Sequence, residues 1–411
     1  MMAADDQAPE GLDERSAPEP RPWWLAPTCL FDGRERRAGV ALRIEAGLIA
    51  AVAPVADIGA DDRVVTSPLM ACPGFVDLQV NGGGGALFNN DPSPATLATI
   101  GAAHRRLGTT SWFATFITDS ADALDRAVDA VIANRGRHGV AGVHIEGPHI
   151  SLERRGTHAA RHIRPFDERT LANLQRLRSS GIATMLTVAP ERLASGTIAR
   201  LTEMGVLVSA GHSAATGEQV EAAVAEGLRC FTHLHNAMSP MTAREPGVVG
   251  AALASDAWCG LIADGHHVCD TTVALSLRAR RRPDRTFLVS DAMATVGGPD
   301  AFELYGRRIE VSGGRLVNSE GALAGAHLDM ATAVRYLVNR VGVGVEAALA
   351  MASCIPAGAA DLDAEIGGLT VGRKADILLL DDLLEVRAVF FDGAAVEMAP
   401  GGERTAGVSG S

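Results

Sequence analysis

The sequence lacks the cysteine spacing that a disulfide framework or a structural zinc site requires. Its six cysteines are scattered along 411 residues, and none of them forms a CxxC pair. We therefore expect small, buried thiols in a reducing cytoplasm, where structural disulfides are rare.

Long hydrophobic runs and an excess of positive charge are also missing. No apolar run approaches the roughly 18 residues that a membrane-spanning helix needs. The net charge of −12 argues against general binding to nucleic acid or to anionic membranes. An acidic total still permits an anionic small-molecule substrate, because a few local cations are enough to bind a phosphate group.

The N-terminal segment has neither the basic nor the apolar region of a signal peptide. Residues 1–22 are acidic and rich in proline, which predicts a disordered tail, and we expect a second flexible tail at residues 401–411. These features favour a cytoplasmic protein.

The composition is that of a globular protein with a sizeable core, since 47% of the residues are hydrophobic and 21% are charged. Short strands are predicted at both ends of the chain. Residues 38–54 alternate and turn at Ala46-Gly47, as a hairpin does, and further strands are predicted at Ala375–Leu380 and Val386–Phe391. We therefore expect residues 23–73 and 364–400 to form one small β-sandwich domain.

The middle of the chain, residues 74–363, alternates short apolar runs with amphipathic helices. One helix face is visible in the spacing of Ala123, Leu124, Ala127 and Val128. Eight strands that alternate with helices predict an α/β fold, the (β/α)8 TIM-like barrel of parallel strands. The eight runs are Gly74–Val80, Ser111–Thr115, Gly142–Glu146, Thr184–Val188, Val206–His212, Leu228–His233, Gly260–Asp264 and Thr286–Asp291.

Polar residues stand where four of these runs end. These residues are Glu146, His212, His233 and Asp291. The carboxyl ends of all strands of a barrel converge on one face, so residues far apart in sequence can meet there. Two imidazoles and a carboxylate, with a further carboxylate nearby, form the donor set of a catalytic Zn²⁺ or Fe²⁺ site. Each residue alone is more often a hydrogen-bonding or helix-capping residue, and only the joint pattern indicates a metal site.

Longer motifs make the sequence resemble the N-acetylglucosamine-6-phosphate deacetylases of the amidohydrolase superfamily. They occur in the family's order and span nearly the whole chain. The motifs are PGFVDLQVNGGGG (73–85), HIEGPHIS (144–151), GTH (156–158), SAGHSAAT (209–216), THLHNAMSPMTAREPGVVGAAL (232–253), IADGHHV (262–268), LVSDAMATVG (288–297), LAGAHLDM (323–330) and GGLTVGRKADILLLD (367–381).

The resemblance implies hydrolysis of the acetyl group of N-acetylglucosamine 6-phosphate by water that a metal ion activates. It implies that Glu146, His212 and His233 bind one divalent ion per subunit, Zn²⁺ or Fe²⁺. Asp291 matches the family's catalytic acid and base, and His158 matches the residue that orients or polarises the amide carbonyl.

The resemblance also supplies candidates for binding the substrate, a phosphorylated amino sugar. Arg244 and His267 match the family's phosphate contacts, and an arginine suits a forked contact with phosphate oxygens. Asn236 and Ala237 match residues that line the same pocket, and Gln79 is expected to help hold the ligand. Because relatives complete the phosphate site across a dimer interface, the resemblance implies a homodimer.

The sequence departs from related enzymes at four positions, two that lack a histidine and two that carry an unusual one. Gln79 and Asn81 replace the His-x-His pair that holds a second metal in many amidohydrolases, and this favours a single metal per subunit. His149 and His162 are unusual for their motifs, and we expect them to be solvated loop residues rather than extra substrate contacts. The role of His266, next to His267, stays open.

Two alternatives to this function remain. A different amidohydrolase would keep the metal residues but would not need Arg244 and His267. A non-catalytic relative would have lost a metal ligand or Asp291, and neither is lost here. Both the gluco and the galacto sugar stay possible as substrates. They differ in the orientation of one hydroxyl group, which an enzyme recognises through the three-dimensional geometry of its pocket.

Overall fold

The computed structural model describes residues 21–398. The predicted tails lie outside these residues, except for Arg21 and Pro22 at the end of the first tail. The last two residues of the predicted 364–400 segment also lie outside them.

Five strands near the start of the described chain open a mixed β-sheet. Strands β3 and β4 form the hairpin that the sequence predicted, because Ala46 and Gly47 take positive φ angles of 49° and 76° and make the tight turn between them. The strands are β1 (Trp23–Phe31), β2 (Arg36–Ala38), β3 (Val40–Glu45), β4 (Leu48–Pro54) and β5 (Val64–Pro73).

The barrel consists of eight parallel strands that pair in chain order, each overlapping one of the eight predicted runs. A bridge between Val80 and Ala292 links the first strand to the segment after the last, so the ring is nearly closed. The first strand, β6 (Phe75–Val80), is followed by a small hairpin of β7 (Gly82–Gly83) and β8 (Ala86–Leu87). The other barrel strands are β9 (Thr109–Ile117), β10 (Val140–Glu146), β11 (Ala183–Val188), β12 (Leu207–Ala210), β13 (Cys230–Phe231), β14 (Trp258–Leu261) and β15 (Thr286–Leu288). The predicted barrel is confirmed.

Helices surround the barrel and connect its strands. The seven crossover helices are α1 (Pro94–Arg106), α2 (Ala121–Ala133), α3 (Glu168–Ser179), α4 (Thr197–Glu203), α5 (Gly217–Ala225), α6 (Gly247–Ala254) and α7 (Asp270–Ala279). Three more follow the last strand: α8 (Met330–Tyr336), which continues as a π-helical turn over Leu337–Val341, α9 (Val345–Met351) and α10 (Cys354–Ala359). The predicted apolar face of α2 is buried against the barrel.

An antiparallel sheet of four strands interrupts the barrel between β15 and α8. We call residues 301–326 the insertion. Its strands are β16 (Ala301–Leu304), β17 (Arg307–Ser312), β18 (Arg315–Val317) and β19 (Leu323–Ala326). Phe302, Leu304, Ile309 and Leu316 pack in one apolar cluster with Leu87, Ile117, Met293 and Ala294 at the carboxyl end of the barrel. This element was not predicted from the sequence.

The last strands of the described chain complete the sheet that the first strands begin. They are β20 (Ile377–Leu380), β21 (Val386–Phe391) and β22 (Ala394–Ala395). Strand β20 pairs antiparallel with β5, so both ends of the chain share one eight-stranded sheet. Because β5 leads directly into β6, this sheet lies at the amino end of the barrel and leaves the carboxyl end open for a site.

Among the described residues, no helix has the length and apolar content needed to cross a membrane.

Candidate active site

The polar residues predicted at the strand ends converge at the carboxyl end of the barrel. Glu146 is the last residue of β10, whereas His212, His233 and Asp291 follow the ends of β12, β13 and β15 by two or three residues. These last three residues have positive φ angles of 49°, 33° and 51°, which side chains other than glycine rarely adopt. Strained backbone of this kind concentrates at functional sites, where the surrounding fold holds it in place.

Glu146, His212 and His233 form a compact cluster of possible metal ligands, and their ligand atoms all lie within 4.8 Å of one another. The Oε1 atom of Glu146 is 3.1 Å from Nε2 of His212 and 2.9 Å from Nε2 of His233. The two Nε2 atoms are 3.1 Å apart. All three side chains are buried.

The proton positions in this cluster fit a cation. His212 donates its Nδ1 hydrogen to the carbonyl oxygen of Arg154 at 2.8 Å, so its Nε2 carries a lone pair in the neutral ring. Burial would raise the pKa of Glu146, but the two imidazoles outweigh it and hold the pKa of its carboxyl well below the usual range. A carboxylate oxygen and an imidazole lone pair that face one point in a buried place are the donors that a divalent transition metal binds.

A chain of hydroxyl groups supports the ligand strands from inside the barrel. Nε2 of His144 is 2.7 Å from the hydroxyl of Thr187, which is 2.6 Å from that of Thr232, which in turn is 2.7 Å from that of Ser209. All four side chains are buried. His144 belongs to β10, Thr187 to β11 and Ser209 to β12, and Thr232 directly follows β13. They therefore tie together the strands that end in Glu146, His212 and His233.

Asp291 belongs to the same site through amide donors. Its Oδ1 accepts from Nδ2 of Asn81 at 2.7 Å and from Nε2 of Gln79 at 3.2 Å. The same Gln79 nitrogen lies 3.1 Å from Oε2 of Glu146, so Gln79 bridges the two carboxylates. Burial and then the charge of Glu146 raise the pKa of Asp291 to about 6. A carboxyl group in this range can both accept and release a proton near neutral pH.

His158 lies beside the metal-ligand cluster, with its ring centroid 4.3 Å from that of His212. Its Nδ1 is 2.7 Å from the hydroxyl of Thr118 and accepts the backbone N–H of Thr118 at 3.4 Å. Burial lowers the pKa of His158 well below its ordinary value, so the ring is neutral. A neutral ring with Nδ1 as acceptor carries its hydrogen on Nε2.

These groups line a pocket of about 320 Å³. Three of the predicted substrate residues, Asn236, Ala237 and His267, are part of its wall. His267 is oriented by Asp264, whose carboxylate lies 2.7 Å from Nδ1 of the imidazole. The structure therefore brings these three residues to the same cavity as Glu146 and Asp291.

Two predicted residues do not line the cavity wall. Gln79 lies behind it and contacts the carboxylates of Glu146 and Asp291 instead. Arg244 is exposed on the loop that precedes α6 and is not among the residues that line this pocket. A phosphate contact by Arg244 within its own pocket is thus not seen in the described part of a single chain.

The three histidines with open roles lie in different surroundings. The expectation that His149 is a solvated loop residue is wrong, because it is fully buried and both its ring nitrogens lie 3.1 Å from oxygens, of Arg164 and of Thr170. His162 is half-buried, and its Nε2 lies 3.6 Å from Oδ1 of Asp119. The ring of His266 lies against the turn at Gly314 in the insertion. None of the three lines the pocket.

Sequence reasoning missed several residues that build the site. Arg154 lines the pocket, and its backbone carbonyl oxygen accepts the Nδ1 hydrogen of His212. The hydroxyl of Thr118 contacts Nδ1 of His158. Leu323 and Gly325, at the end of the insertion, supply another part of the wall. The LAGAHLDM motif that includes the last two gave a signal, whereas the contacts of Thr118 and of the Arg154 carbonyl become visible only in the folded chain.

Comparison with known proteins shows the family to which the chain belongs. Residues 70–409 match the amidohydrolase family. The N-acetylgalactosamine-6-phosphate deacetylase of Shewanella sp. (strain ANA-3) is 39% identical over 341 residues, which cover 82% of this chain and 85% of the relative. The N-acetylglucosamine-6-phosphate deacetylase of Haemophilus influenzae is 32% identical over 362 residues, which cover 86% of this chain and 93% of the relative.

A solved structure extends the similarity to three dimensions. The crystal structure of N-acetylglucosamine-6-phosphate deacetylase from Pasteurella multocida matches with a TM-score of 0.86 at 31% identity, and the match covers 91% of this chain and 99% of that chain. The resemblance seen in the sequence motifs is confirmed. The chain therefore belongs to the amidohydrolase family and, within it, to the N-acetylglucosamine-6-phosphate deacetylases.

Proposed function

We propose that the chain hydrolyses N-acetylglucosamine 6-phosphate to glucosamine 6-phosphate and acetate. The observation that carries this proposal is the convergence of Glu146, His212 and His233 on one point, with Asp291 joined to Glu146 through Gln79 in the same pocket. A metal-dependent amide hydrolase needs these parts together: a ligand set for the ion and a separate group that moves protons.

Glu146, His212 and His233 would hold one divalent ion, Zn²⁺ or Fe²⁺. When bound, the ion supplies the positive charge that makes water nucleophilic at neutral pH and polarises the amide. Gln79 and Asn81 stand where many amidohydrolases have a second pair of ligands. Their amide nitrogens donate to carboxylates here, which supports a single ion.

Asp291 would act as the general base and then as the general acid. It takes a proton from the water that attacks the acetyl carbonyl and returns it to the nitrogen as the amide bond breaks, because an amine leaves poorly without a proton. Water adds to the carbonyl carbon, the carbon–nitrogen bond breaks, and acetate and the free amine result. The donors Asn81 and Gln79 keep the carboxyl of Asp291 in place through both steps.

His158 would assist at the carbonyl oxygen. Its neutral ring can donate the Nε2 hydrogen to the oxygen as negative charge develops there, and such a donor is worth about 100-fold or more in rate. The ring is packed beside His212, which places this donor next to the ion site.

The sugar and its phosphate would bind along the wall formed by Asn236, Ala237 and His267. We further propose that the chain forms a homodimer in which Arg244 reaches the phosphate bound by the partner subunit. The exposed position of Arg244 outside the pocket of its own chain supports this arrangement, and a forked guanidinium suits phosphate oxygens.

Mixing two inactive variants tests the dimer. Arg244→Ala removes the phosphate contact, and Asp291→Asn removes the acid and base. If Arg244 acts in the partner's site, subunit exchange restores one intact site in each mixed dimer, or about one quarter of the wild-type rate for random pairing. No recovery in mixtures that a tagged-subunit assay shows to be mixed would place Arg244 in its own site or remove it from catalysis.

A galacto substrate is the second candidate, because the Shewanella relative with 39% identity is an N-acetylgalactosamine-6-phosphate deacetylase. The two sugars differ in the orientation of one hydroxyl group. A pocket that hydrogen-bonds that hydroxyl can discriminate strongly between them.

The experiment that tests the function is acetate release by the purified, metal-loaded protein. N-acetylglucosamine 6-phosphate, its galacto isomer and unphosphorylated N-acetylglucosamine are compared at matched concentrations. Fast release that depends on the phosphate establishes the reaction, and the rates rank the two sugars. No release from any of them, with the metal confirmed by elemental analysis, would move the function to a different amide.

We also propose that the reaction takes place in the cytoplasm. All six cysteines are free thiols, and three of them, Cys72, Cys230 and Cys259, are buried. Proteins of oxidising compartments tend instead to use cysteine in disulfides.

A further inference from the structure

Thr118 directly follows the last residue of β9 and lies between His158 and the backbone of Glu146. It is 1% exposed, and its hydroxyl is 2.7 Å from Nδ1 of His158 and 3.4 Å from the carbonyl oxygen of Glu146. A Cβ atom added to Gly147 would come within 2.2 Å of the Thr118 hydroxyl oxygen, so the chain after Glu146 passes directly over this hydroxyl. The position of Thr118 is therefore tightly defined by its neighbours.

The contacts of Thr118 decide which nitrogen of His158 carries the hydrogen. A backbone N–H can only donate, and that of Thr118 donates to Nδ1 of His158. The other ring nitrogen, Nε2, then carries the hydrogen. With the opposite tautomer, the ring would present a lone pair instead of a donor to a carbonyl oxygen in the pocket, and the stabilisation of developing negative charge would be lost.

Tyr305 holds Thr118 from the opposite side. It lies in the turn between β16 and β17 of the insertion, and its hydroxyl donates to the carbonyl oxygen of Thr118 at 2.5 Å. Burial raises the pKa of Tyr305, so the hydroxyl keeps the proton that it donates.

The insertion also contacts the loop that carries His158 through an ion pair and a hydrogen bond. Arg155 forms an ion pair with Glu320 at 2.5 Å, and Nδ2 of Asn318 lies 3.3 Å from the hydroxyl of Thr157. The insertion therefore contacts the His158 loop at two residues beside His158 and contacts Thr118 at its carbonyl group.

We infer that Thr118 is a positioning residue that fixes His158 as the Nε2–H tautomer, and that Tyr305 lets the insertion hold Thr118 in place. The inference deepens the proposed function and rests on it for the role of His158 in catalysis. The tautomer itself is a property of the folded chain, whatever the substrate.

Nitrogen NMR of the protein labelled with ¹⁵N-histidine and loaded with diamagnetic Zn²⁺ reads the tautomer directly. The His158 signals are identified by their loss in His158→Gln. In the wild type we expect a hydrogen on Nε2 and none on Nδ1. A hydrogen on Nδ1 of His158 would overturn the inference, whether or not the protein releases acetate.

Kinetic variants test whether the contact matters for turnover. Thr118→Val keeps the shape and the backbone N–H but removes the hydroxyl, the closer of the two contacts to Nδ1 of His158 at 2.7 Å. With only the 3.4 Å N–H contact left, the ring is held less firmly. We expect kcat to fall about ten-fold with little change in KM, because the Nε2–H of His158 acts mainly in the transition state. Thr118→Ser keeps the hydroxyl and should restore most of kcat. Tyr305→Phe should lower kcat by about five-fold, the loss of one hydrogen bond that acts through Thr118.

Thr184→Val is the matched control. Thr184 is also a buried threonine, but it lies near the amino end of β11 and its hydroxyl donates to the carbonyl oxygen of Ile182. It should leave kcat and the His158 spectrum unchanged.

The pattern of results separates the possible failures. Full kcat in Thr118→Val, or equal losses in Thr118→Val and Thr118→Ser, would remove Thr118 as the positioning residue. Independent, additive losses in Thr118→Val and Tyr305→Phe would remove the link through the insertion, because residues that act in one chain of contacts are non-additive. A wild-type protein that shows the expected tautomer but deacetylates none of the sugars would refute the proposed function and still support the tautomer assignment.

Discussion

The two ends of the barrel use the same eight strands in different ways. At the carboxyl end, His212, His233 and Asp291 have positive φ angles. The buried carboxylate of Glu146 and the partly buried one of Asp291 both accept from the side-chain amide of Gln79. At the amino end, the strands meet the sheet from the chain ends through backbone hydrogen bonds. The N–H of Gly74 donates to the carbonyl oxygen of Asp376, directly before β20, and that of Val76 donates to Ala352, at the end of helix α9, both at 2.8 Å.

The difference separates the part of the barrel that lowers stability from the part that raises it. Strained backbone and buried charge cost stability, and a fold retains them where they position reacting groups. Close packing at the opposite end supplies stability and has no contact with substrate. Substitutions at the carboxyl end should therefore change chemistry more than stability, and substitutions at the amino end should do the reverse.

Removing the metal should have the largest effect on the carboxyl end. We expect a chelator to abolish acetate release and to lower the melting temperature, since a ligand that binds only the folded state stabilises it by about 4 kcal/mol at a thousand times its dissociation constant. Activity and melting temperature should return with Zn²⁺ or Fe²⁺. A chelated protein of proven zero metal content that kept full activity would contradict the role of Glu146, His212 and His233.

Asp291→Asn should come next, with a loss of kcat of about a thousand-fold. The amide cannot accept a proton, but it preserves the shape of the side chain, so metal content should stay near one ion per chain. Acetate release and elemental analysis measure the two quantities. Asp376→Asn is the matched control, the same substitution of a buried carboxyl at the amino end, and it should leave kcat unchanged. Near-normal turnover in Asp291→Asn would assign the proton transfer to another group.

The same contrast explains what could be predicted from the sequence. The barrel was predictable because its strands are buried apolar runs with polar residues at their ends, so Glu146, His212, His233 and Asp291 could be located without a structure. Tertiary partners could not be found this way. Thr118 and Tyr305 contact each other although 187 positions separate them, and no spacing rule indicates such a pair.

Two other features were missed for different physical reasons. The strands of the insertion are short and carry exposed arginines and glutamates, and their alternation, as in Phe302-Glu303-Leu304, is a weak signal next to the long apolar runs of the barrel. His149 was misjudged because a histidine in a polar motif is usually solvated. Here the ring packs on Phe166 with centroids 5.0 Å apart, inside the fold.

Gly74→Ala tests the packing of the amino end. A Cβ atom added to Gly74 would lie 2.1 Å from the hydroxyl oxygen of Thr110, so the barrel strand or its neighbour must shift. Overpacking of this kind costs about 1–3 kcal/mol, and the urea midpoint should fall accordingly. The kcat of the folded variant should match that of the wild type. A loss of kcat without a loss of stability would mean that the two ends are coupled and that the comparison fails.

A second test of the amino end concerns the charge of Asp376, a buried carboxyl whose cost to stability can be titrated. Its Oδ1 accepts the backbone N–H of Asp392 at 2.9 Å, and burial raises the pKa of the carboxyl from 3.8 to about 6. At about pH 3 and below, the group is protonated almost fully in both the folded and the unfolded chain and costs almost nothing. As the pH rises from about 3 to above 6, the unfolded chain loses the proton first. Folding therefore becomes less favourable, by about 2–3 kcal/mol when the folded group is also ionised.

Asp376→Asn removes this titration and can still accept the N–H of Asp392. Its melting temperature should therefore be closest to that of the wild type near pH 3 and should exceed it increasingly up to pH 7. Comparing the two proteins at each pH isolates Asp376, because every other titrating group is common to both. A difference that stays constant between pH 3 and pH 7 would show that the carboxyl ionises in its ordinary range. In that case buried charge would be a cost confined to the carboxyl end, where Asp291 and Glu146 use it.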